Sequence, residues 1–263
     1  MNLELDGKRA LISGSTAGIG YAIAAALARE GVRVIVNGRT EAAVAAAKQA
    51  IRDKTGHEAD GFAGDLGTAA AADALVQAFP DVDVLVNNLG IFEPKPFEEI
   101  PDDDWRRFFE VNVLSGVRLA RAYLPYMRRQ NWGRIIFISS ESGLQIPTEM
   151  IHYGVTKTAQ IAVARGIAET VAGTGITVNT VLPGPTRSRG VGDFVDAMSK
   201  RAGMSPEAFE ADFFARARPT SLIKRFATPE EIASLVAYVA SPLASATTGA
   251  ALRVDGGVVK SAF

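Results

Sequence analysis

The run Arg9-Ala10-Leu11-Ile12-Ser13-Gly14-Ser15-Thr16-Ala17-Gly18-Ile19-Gly20 decides the fold. Arg9–Ser13 is a short apolar strand, and Ala-rich helical sequence begins after Gly18. The glycines between them have the spacing G-x-x-x-G-x-G, one residue wider at the front than the common dinucleotide fingerprint. Glycine there permits a tight turn and close backbone approach to a pyrophosphate. The helix that follows offers unpaired N–H groups and the positive end of its dipole. Glycine triplets occur in many turns, so the strand before and the helix after carry the reading. Gly14, Gly18 and Gly20, with Ser15 and Thr16 between them, are the first candidate cofactor contacts.

Outward from this turn the chain alternates apolar Val/Ile runs with longer helical stretches. Strands are expected at Arg9–Ser13, Val32–Val36, Glu58–Ala63, Val82–Asn87, Arg134–Ser139, Ile176–Leu182 and Ala251–Val254. Their continuous apolar character suits strands covered on both faces, as in a parallel sheet. Thr40, Thr68 and Thr228 are candidate N-caps. Thr228-Pro229-Glu230-Glu231 combines a capping Thr, Pro at the first helical position and Glu at the capping-box position. Gly31 and Gly56 are placed to end helices. The alternation predicts an α/β, doubly wound sheet with helices on both faces. Residues 1–263 read as one domain. The stretch 185–225 breaks the rhythm, with Ser205-Pro206-Glu207 as a short helix start inside it. It is either a lid over the site or a surface insertion without a role.

In such sheets ligands bind beyond the carboxyl ends of the strands. After the second strand stands Asn37-Gly38-Arg39, where an acid would accept from the ribose hydroxyls of NAD. Arg39 instead suits a 2′-phosphate and points to NADP over NAD; the alternative is an arginine that stacks near adenine or faces solvent. Ala17 leaves no second basic residue in the glycine turn. Asp65-Leu66 follows the third strand, and Asp65 either accepts from an adenine amino group or caps the next helix. Asn87-Asn88-Leu89-Gly90 follows the fourth. Its amides can tie strand ends together, while Gly90 either lets the chain pass close to the adenosine ribose or only makes a turn.

Tyr153-Gly154-Val155-Thr156-Lys157 sets a phenol and an ammonium one turn apart on one helix face. A nearby positive charge is expected to lower the phenol pKa toward working pH, which makes Tyr153 a general acid for a carbonyl or a base for an alcohol. The motif alone is usually structural; its setting gives it weight. Ser140 stands at the end of the fifth strand, where its hydroxyl could hold a substrate oxygen. Asn112 sits mid-helix, an unfavourable place for Asn. It either holds a water that links Lys157 to solvent or stabilises a kink.

Together these residues, with Asn179, Pro183-Gly184 and the closing Val254-Asp255-Gly256-Gly257, resemble the short-chain dehydrogenase/reductase family over essentially the whole chain. The resemblance implies a Rossmann-type sheet of seven strands in the order 3-2-1-4-5-6-7. It implies the tetrad Asn112, Ser140, Tyr153 and Lys157, with Lys157 also bonding the nicotinamide ribose. It further implies cofactor contacts from the Ile19 backbone, from Pro183 and Gly184 at the nicotinamide, and from Thr186 and Ser188 near its carboxamide and the phosphates. Ser13 replaces the usual Thr before the first glycine, and Leu89 puts a bulky side chain where the family has Ala. The expected reaction is hydride transfer between a nicotinamide and a carbonyl or secondary alcohol. The leading reading is NADPH-dependent reduction of a ketone or 3-oxoacyl substrate. An NAD-linked alcohol or sugar dehydrogenase, or a nucleotide-binding regulator without turnover, are the alternatives. A homotetramer or homodimer is expected from relatives.

Composition narrows the classes. The 263 residues carry 28 basic and 29 acidic side chains, so no basic excess points to nucleic acid. There is no cysteine, which removes thiolate chemistry and disulfides. His57 and His152 lie far apart, so no metal site is expected. No apolar run approaches the ~18 to 20 residues that span a bilayer. With an acidic N-terminus unlike a secretory signal, a cytoplasmic protein is expected. Substrate-pocket candidates are Glu141, Ser142, Gln145, Ile146, Met150 and His152. The 185–225 stretch adds Arg187, Arg189, Phe194, Met198, Phe209, Phe213 and Phe214. Those aromatics either meet an apolar substrate part or pack the lid down.

Overall fold

Continuous Val/Ile/Leu runs need cover on both faces, and the chain supplies it. In the computed structural model, which describes residues 2–188, 192, 199 and 203–262, the strands are β1 (Arg9–Ile12), β2 (Arg33–Gly38), β3 (Asp60–Ala63), β4 (Val84–Asn87), β5 (Gly133–Ile138), β6 (Ile176–Pro183) and β7 (Ala251–Val254). They form one seven-stranded sheet in the order 3-2-1-4-5-6-7, and every neighbouring pair is parallel. The expected strands therefore stand, with ends displaced by a residue or two as is usual at element boundaries.

The helices are α1 (Gly18–Arg29), α2 (Glu41–Thr55), α3 (Ala69–Ala78), α4 (Asp102–Phe109), α5 (Ser115–Arg129), α6 (Ile151–Thr170), α7 (Pro206–Arg216) and α8 (Pro229–Ala240). Side chains alternate along each strand between two cores. Ala10, Ile12, Val34 and Val36 pack with Ile23 and Leu27 of α1 and Ile232 and Val236 of α8. Leu11 and Ile35 pack on the other face with Leu75 of α3 and Leu119 and Tyr123 of α5. Each such fully buried aliphatic side chain contributes roughly 1.5–3 kcal/mol. Arg134 is also fully buried. Its guanidinium donates to the carbonyls of Gly133, Gly175 and Ser241 and lies 4.5 Å from the Trp132 ring centre. Burial lowers its pKa to about 10.

Local signals set the helix ends. Thr40, Thr68 and Thr228 each accept a first-turn N–H, and Thr228 and Glu231 complete a reciprocal capping box. Gly56 ends α2 in the left-handed conformation, and Gly31 turns the chain just after α1. The two ends of the 185–225 excursion are tied together: Ala227 N–H donates to the Pro185 carbonyl at 2.9 Å, and Arg187 N–H to that of Ala227 at 2.8 Å. Within it Ser205 caps α7 as expected. Phe213, Phe214 and Phe226 form a cluster with ring centres 5.1 Å apart that holds α7 down. Among the described residues no helix is long and apolar enough to cross a membrane, and no cluster of three His, Asp or Glu side chains could hold a metal ion.

Candidate active site

The glycine turn is latched to the ends of β2 and β4. Ser13 Oγ accepts from the N–H groups of Asn88 and Leu89, both at 3.0 Å. Asn88 Nδ2 donates to the carbonyls of Ser13 and Gly14, also at 3.0 Å, and Gly14 N–H donates to Asn37 Oδ1. Gly14 and Gly18 have φ of +61° and +59°. A Cβ at Gly20 would lie 2.5 Å from both Asn88 Nδ2 and the Gly14 carbonyl oxygen, so no side chain fits there. In contrast to α2, α3 and α8, no side chain caps α1. Its leading N–H groups are left for an anion, and the turn fits a dinucleotide pyrophosphate.

Not every candidate faces that space. Ser15 is fully buried; its hydroxyl donates to the Ile12 carbonyl at 2.7 Å and accepts from Asn37 N–H at 2.9 Å, so its side chain frames the turn. Thr16 flanks β2, where a Cβ on Gly38 would meet its Cγ2 at 2.4 Å. Arg39 is exposed just past β2, and Asp65 is exposed past β3. Asp65 Oδ1 accepts from Gly67 N–H at 3.0 Å in the turn before α3, and Leu66 is buried in the core. Leu89 packs near Gly14. Of the Asn87-Asn88 pair it is Asn88 whose amide ties the strand ends, because the side-chain amide of Asn87 is buried without a hydrogen-bond partner among the described residues.

The Tyr-Lys helix α6 packs against β5 and β6, and Ser139 Oγ, just past the end of β5, donates to the Lys157 carbonyl at 2.8 Å. Between α4 and α5 the chain makes a π-helical turn, Glu110–Leu114, a feature frequent at functional sites. Asn112 therefore stands on this bulge and not in regular helix. Its side chain is tied at both ends: Nδ2 donates to the Ile91 carbonyl and to Thr156 Oγ1, both at 3.0 Å, and Oδ1 accepts from Ile91 N–H at 2.8 Å. Lys157 Nζ donates to the Ile138 carbonyl at 2.9 Å and to Gln160 Oε1 at 3.2 Å. Gln160 Nε2 donates to the Asn112 carbonyl at 2.5 Å. A glutamine amide thus bridges Lys157 and Asn112. Gln160 was missed in the sequence, although it lies one turn beyond Lys157 on the same face.

A cavity of about 550 Å³ opens at this edge. Ile19, Asn88, Gly90, Ser140, Tyr153, Lys157, Pro183, Gly184, Thr186 and Ser188 all line it. Gly90 passes close to the Tyr-Lys pair, since a Cβ there would come 3.5 Å from Lys157 Nζ and 3.6 Å from Asn112 Oδ1. Of the substrate-pocket candidates, Glu141, Ser142, Met150, Phe209 and Phe213 line the cavity; Gln145, Ile146, His152, Arg187 and Phe214 do not. Arg189, Phe194 and Met198 lie outside the described residues. Phe92, Pro94, Glu149, Arg218 and Phe226 also line the cavity. They carry no motif, and only the loop packing brings them in.

Electrostatics differ from the expectation at Tyr153. Burial raises the phenol pKa, with the Glu141 carboxylate adding to the rise; the Ser140 hydrogen bond and the Arg218 guanidinium oppose it. The Lys157 ammonium sits 5.6 Å from the Tyr153 ring centre, turned toward the Ile138 carbonyl. Burial pulls Lys157 itself down to about 8, against the opposing pull of Glu141. Desolvation is the largest cause of both shifts.

A glycine turn that fits a dinucleotide, a cleft at the carboxyl edge of a parallel sheet, and the side chains of Ser140, Tyr153 and Lys157 lining it together define an oxidoreductase of the Rossmann class. A family model described as Enoyl-(Acyl carrier protein) reductase matches residues 14–259. The chain is 49% identical over 267 residues to YvaG, an uncharacterized oxidoreductase of Bacillus subtilis (strain 168), with 100% of each covered. It is 34% identical over 264 residues to a 3-oxoacyl-(acyl-carrier-protein) reductase of Vibrio cholerae, covering 97% of this chain and 99% of that one. The crystal structure of L-sorbose reductase from Gluconobacter frateurii, complexed with NADPH and L-sorbose, superposes with a TM-score of 0.94 at 31% identity, covering 99% of this chain and 100% of that one. The chain belongs to the short-chain dehydrogenase/reductase family and is an NAD(P)-dependent oxidoreductase.

Proposed function

We propose that this protein reduces a ketone with NADPH, using Ser140, Tyr153 and Lys157 as its catalytic set and Asn112 as their support. The observation that carries this reading is the convergence of the three side chains in one cavity with Asn88, Gly90 and Pro183-Gly184. The bound nicotinamide supplies the hydride. Ser140 holds the substrate oxygen, and Tyr153 donates its proton as negative charge develops there. A phenol held above its ordinary pKa stays protonated at neutral pH, the state that carbonyl reduction needs. Lys157 holds the nicotinamide ribose, and Gln160 and Asn112 fix its position. The α1 N-terminus takes the pyrophosphate, Ile19, Thr186 and Ser188 flank the nicotinamide end, and Asp65 and Leu66 border the adenine. The whole chain acts as one domain, with a substrate lid at 185–225. It assembles as a homodimer or homotetramer, and a cytoplasmic location is part of the same reading.

A panel of ketones, 3-oxoacyl thioesters and alcohols with both cofactors tests the activity. Tyr153→Phe is expected to lower kcat by about a hundredfold or more while NADPH still binds; undiminished turnover overturns the assignment. Preference for NADPH over NADH rests on Arg39. Arg39→Ala is expected to raise the KM for NADPH by about ten- to a hundredfold, the worth of a charge-assisted hydrogen bond, and to leave that for NADH nearly unchanged. Equal effects on both cofactors would remove Arg39 from the 2′-phosphate site.

A further inference from the structure

Ser140 is required as a donor to the substrate oxygen, yet its proton is already directed elsewhere. Its Oγ donates to Glu141 Oε2 at 2.5 Å. A serine hydroxyl has one proton to give, and a carboxylate is a stronger acceptor than a neutral carbonyl. Glu141 is also held in place. It is only 5% exposed, its Oε2 accepts from Ser142 N–H at 2.9 Å, and its Oε1 accepts from Arg218 Nε at 3.1 Å. Arg218 reaches in from beyond α7 and is itself fixed, with Nη1 donating to Glu149 Oε1 at 3.2 Å and to the Ala217 carbonyl at 2.8 Å. Glu141, Glu149 and Arg218 all face the cavity beside Ser140 and Tyr153. The carboxylate is thus clamped on several sides, while the serine hydroxyl needs only a rotation about one bond to point elsewhere.

We propose that Glu141 makes the site selective for α-hydroxyketones and, in reverse, for vicinal diols. The hydroxyl on the carbon next to the carbonyl replaces Ser140 as the donor to Glu141 Oε2. The released Ser140 hydroxyl then turns to the carbonyl oxygen. The two oxygens of an α-hydroxyketone can lie side by side, as Ser140 Oγ and Glu141 Oε2 do, so one substrate can engage both. A plain ketone leaves Ser140 bound to Glu141 and meets Tyr153 as its one donor. A methyl ether at the same carbon has no proton to offer the carboxylate. An anionic group there faces two carboxylates against one guanidinium. This inference rests on the reading of Ser140 and Tyr153 as the carbonyl-binding pair.

The test compares hydroxyacetone, methoxyacetone and acetone as substrates with NADPH and NADH, in the wild type and in Glu141→Ala and Glu141→Gln. Binding is read separately, without turnover, from the thermal shift that each ketone adds to the enzyme saturated with NADP+. The wild type is expected to prefer hydroxyacetone over methoxyacetone in kcat/KM by about ten- to a hundredfold, the worth of a hydrogen bond to a charged group. In Glu141→Ala that ratio is expected to fall to within about twofold, as Ser140 becomes free for every ketone, and the hydroxyl-specific thermal shift disappears. Glu141→Gln keeps the shape and is expected to lower the ratio in the same direction, so it decides the matter if the alanine variant does not fold. A wild type indifferent to the hydroxyl overturns the proposal, as does a ratio that survives both substitutions. If no ketone is reduced with either cofactor, the reductase reading fails, and the thermal shifts still decide whether Glu141 recognises the hydroxyl.

Discussion

His152 precedes Tyr153 and is wholly buried. Its ring centre lies 4.0 Å from that of Phe108 and 6.1 Å from that of Trp105, and neither ring nitrogen has a hydrogen-bond partner among the described residues. Burial pulls its pKa below the ordinary 6.5; Asp104 and Glu93 oppose the shift, and Lys95 and Arg107 add to it. The unfolded chain therefore binds this proton more readily than the fold does. Protonation of His152 costs the fold nothing well above pH 6.5, and stability falls as the pH drops through and below that value. The urea midpoint is expected to decline between about pH 7 and about pH 5, and His152→Phe is expected to flatten that decline. A wild-type midpoint that does not change over this range would refute the assignment. The sequence shows a histidine beside a tyrosine; that the imidazole lies against Phe108 follows from how α4 packs on α6.

Helix ends follow a division of labour between support and binding. The capping box on α8 is complete, with Glu231 N–H donating to Thr228 Oγ1 at 3.2 Å and Thr228 N–H to Glu231 Oε2 at 2.8 Å. Arg225 pairs with the same carboxylate and, with the Thr228 N–H, lowers it to about 2. Thr228→Ala is expected to cost about 1 kcal/mol in urea unfolding; a change within error would show that the Arg225 pair holds this turn unaided. Helix α1 lacks any such cap, which fits a terminus reserved for a phosphate. Threonine caps were legible because they act over three residues. The π-helical turn at Glu110–Leu114 was not, because its register is stabilised by the bonds of Asn112 to Ile91 and Thr156, partners distant in sequence.

At the scale of the molecule, seven parallel strands bring the ends of β1, β2, β4, β5 and β6 to one edge, where Tyr153 and Lys157 of α6 and the described residues Pro185, Thr186, Ser188, Phe209, Phe213 and Arg218 line the cavity. Outside that cleft, Phe109 and Leu114 at the junction of α4 and α5 are 37% and 39% exposed. Light scattering is expected to give the mass of a dimer or tetramer, and a monomer at assay concentration would refute assembly. The positions of the strands, the glycine turn and the placing of Tyr153 and Lys157 on one helix face were determined by the sequence itself, because apolar periodicity, glycine stereochemistry and one-turn spacing are local properties; the order of the strands was implied only by the family resemblance. Only the tertiary structure decided that Tyr153 is raised and not lowered, that Gln160 joins Lys157 to Asn112, and that Arg218 clamps Glu141 beside Ser140. Desolvation and hydrogen bonding depend on which distant segments share a space, and no short stretch of chain encodes that.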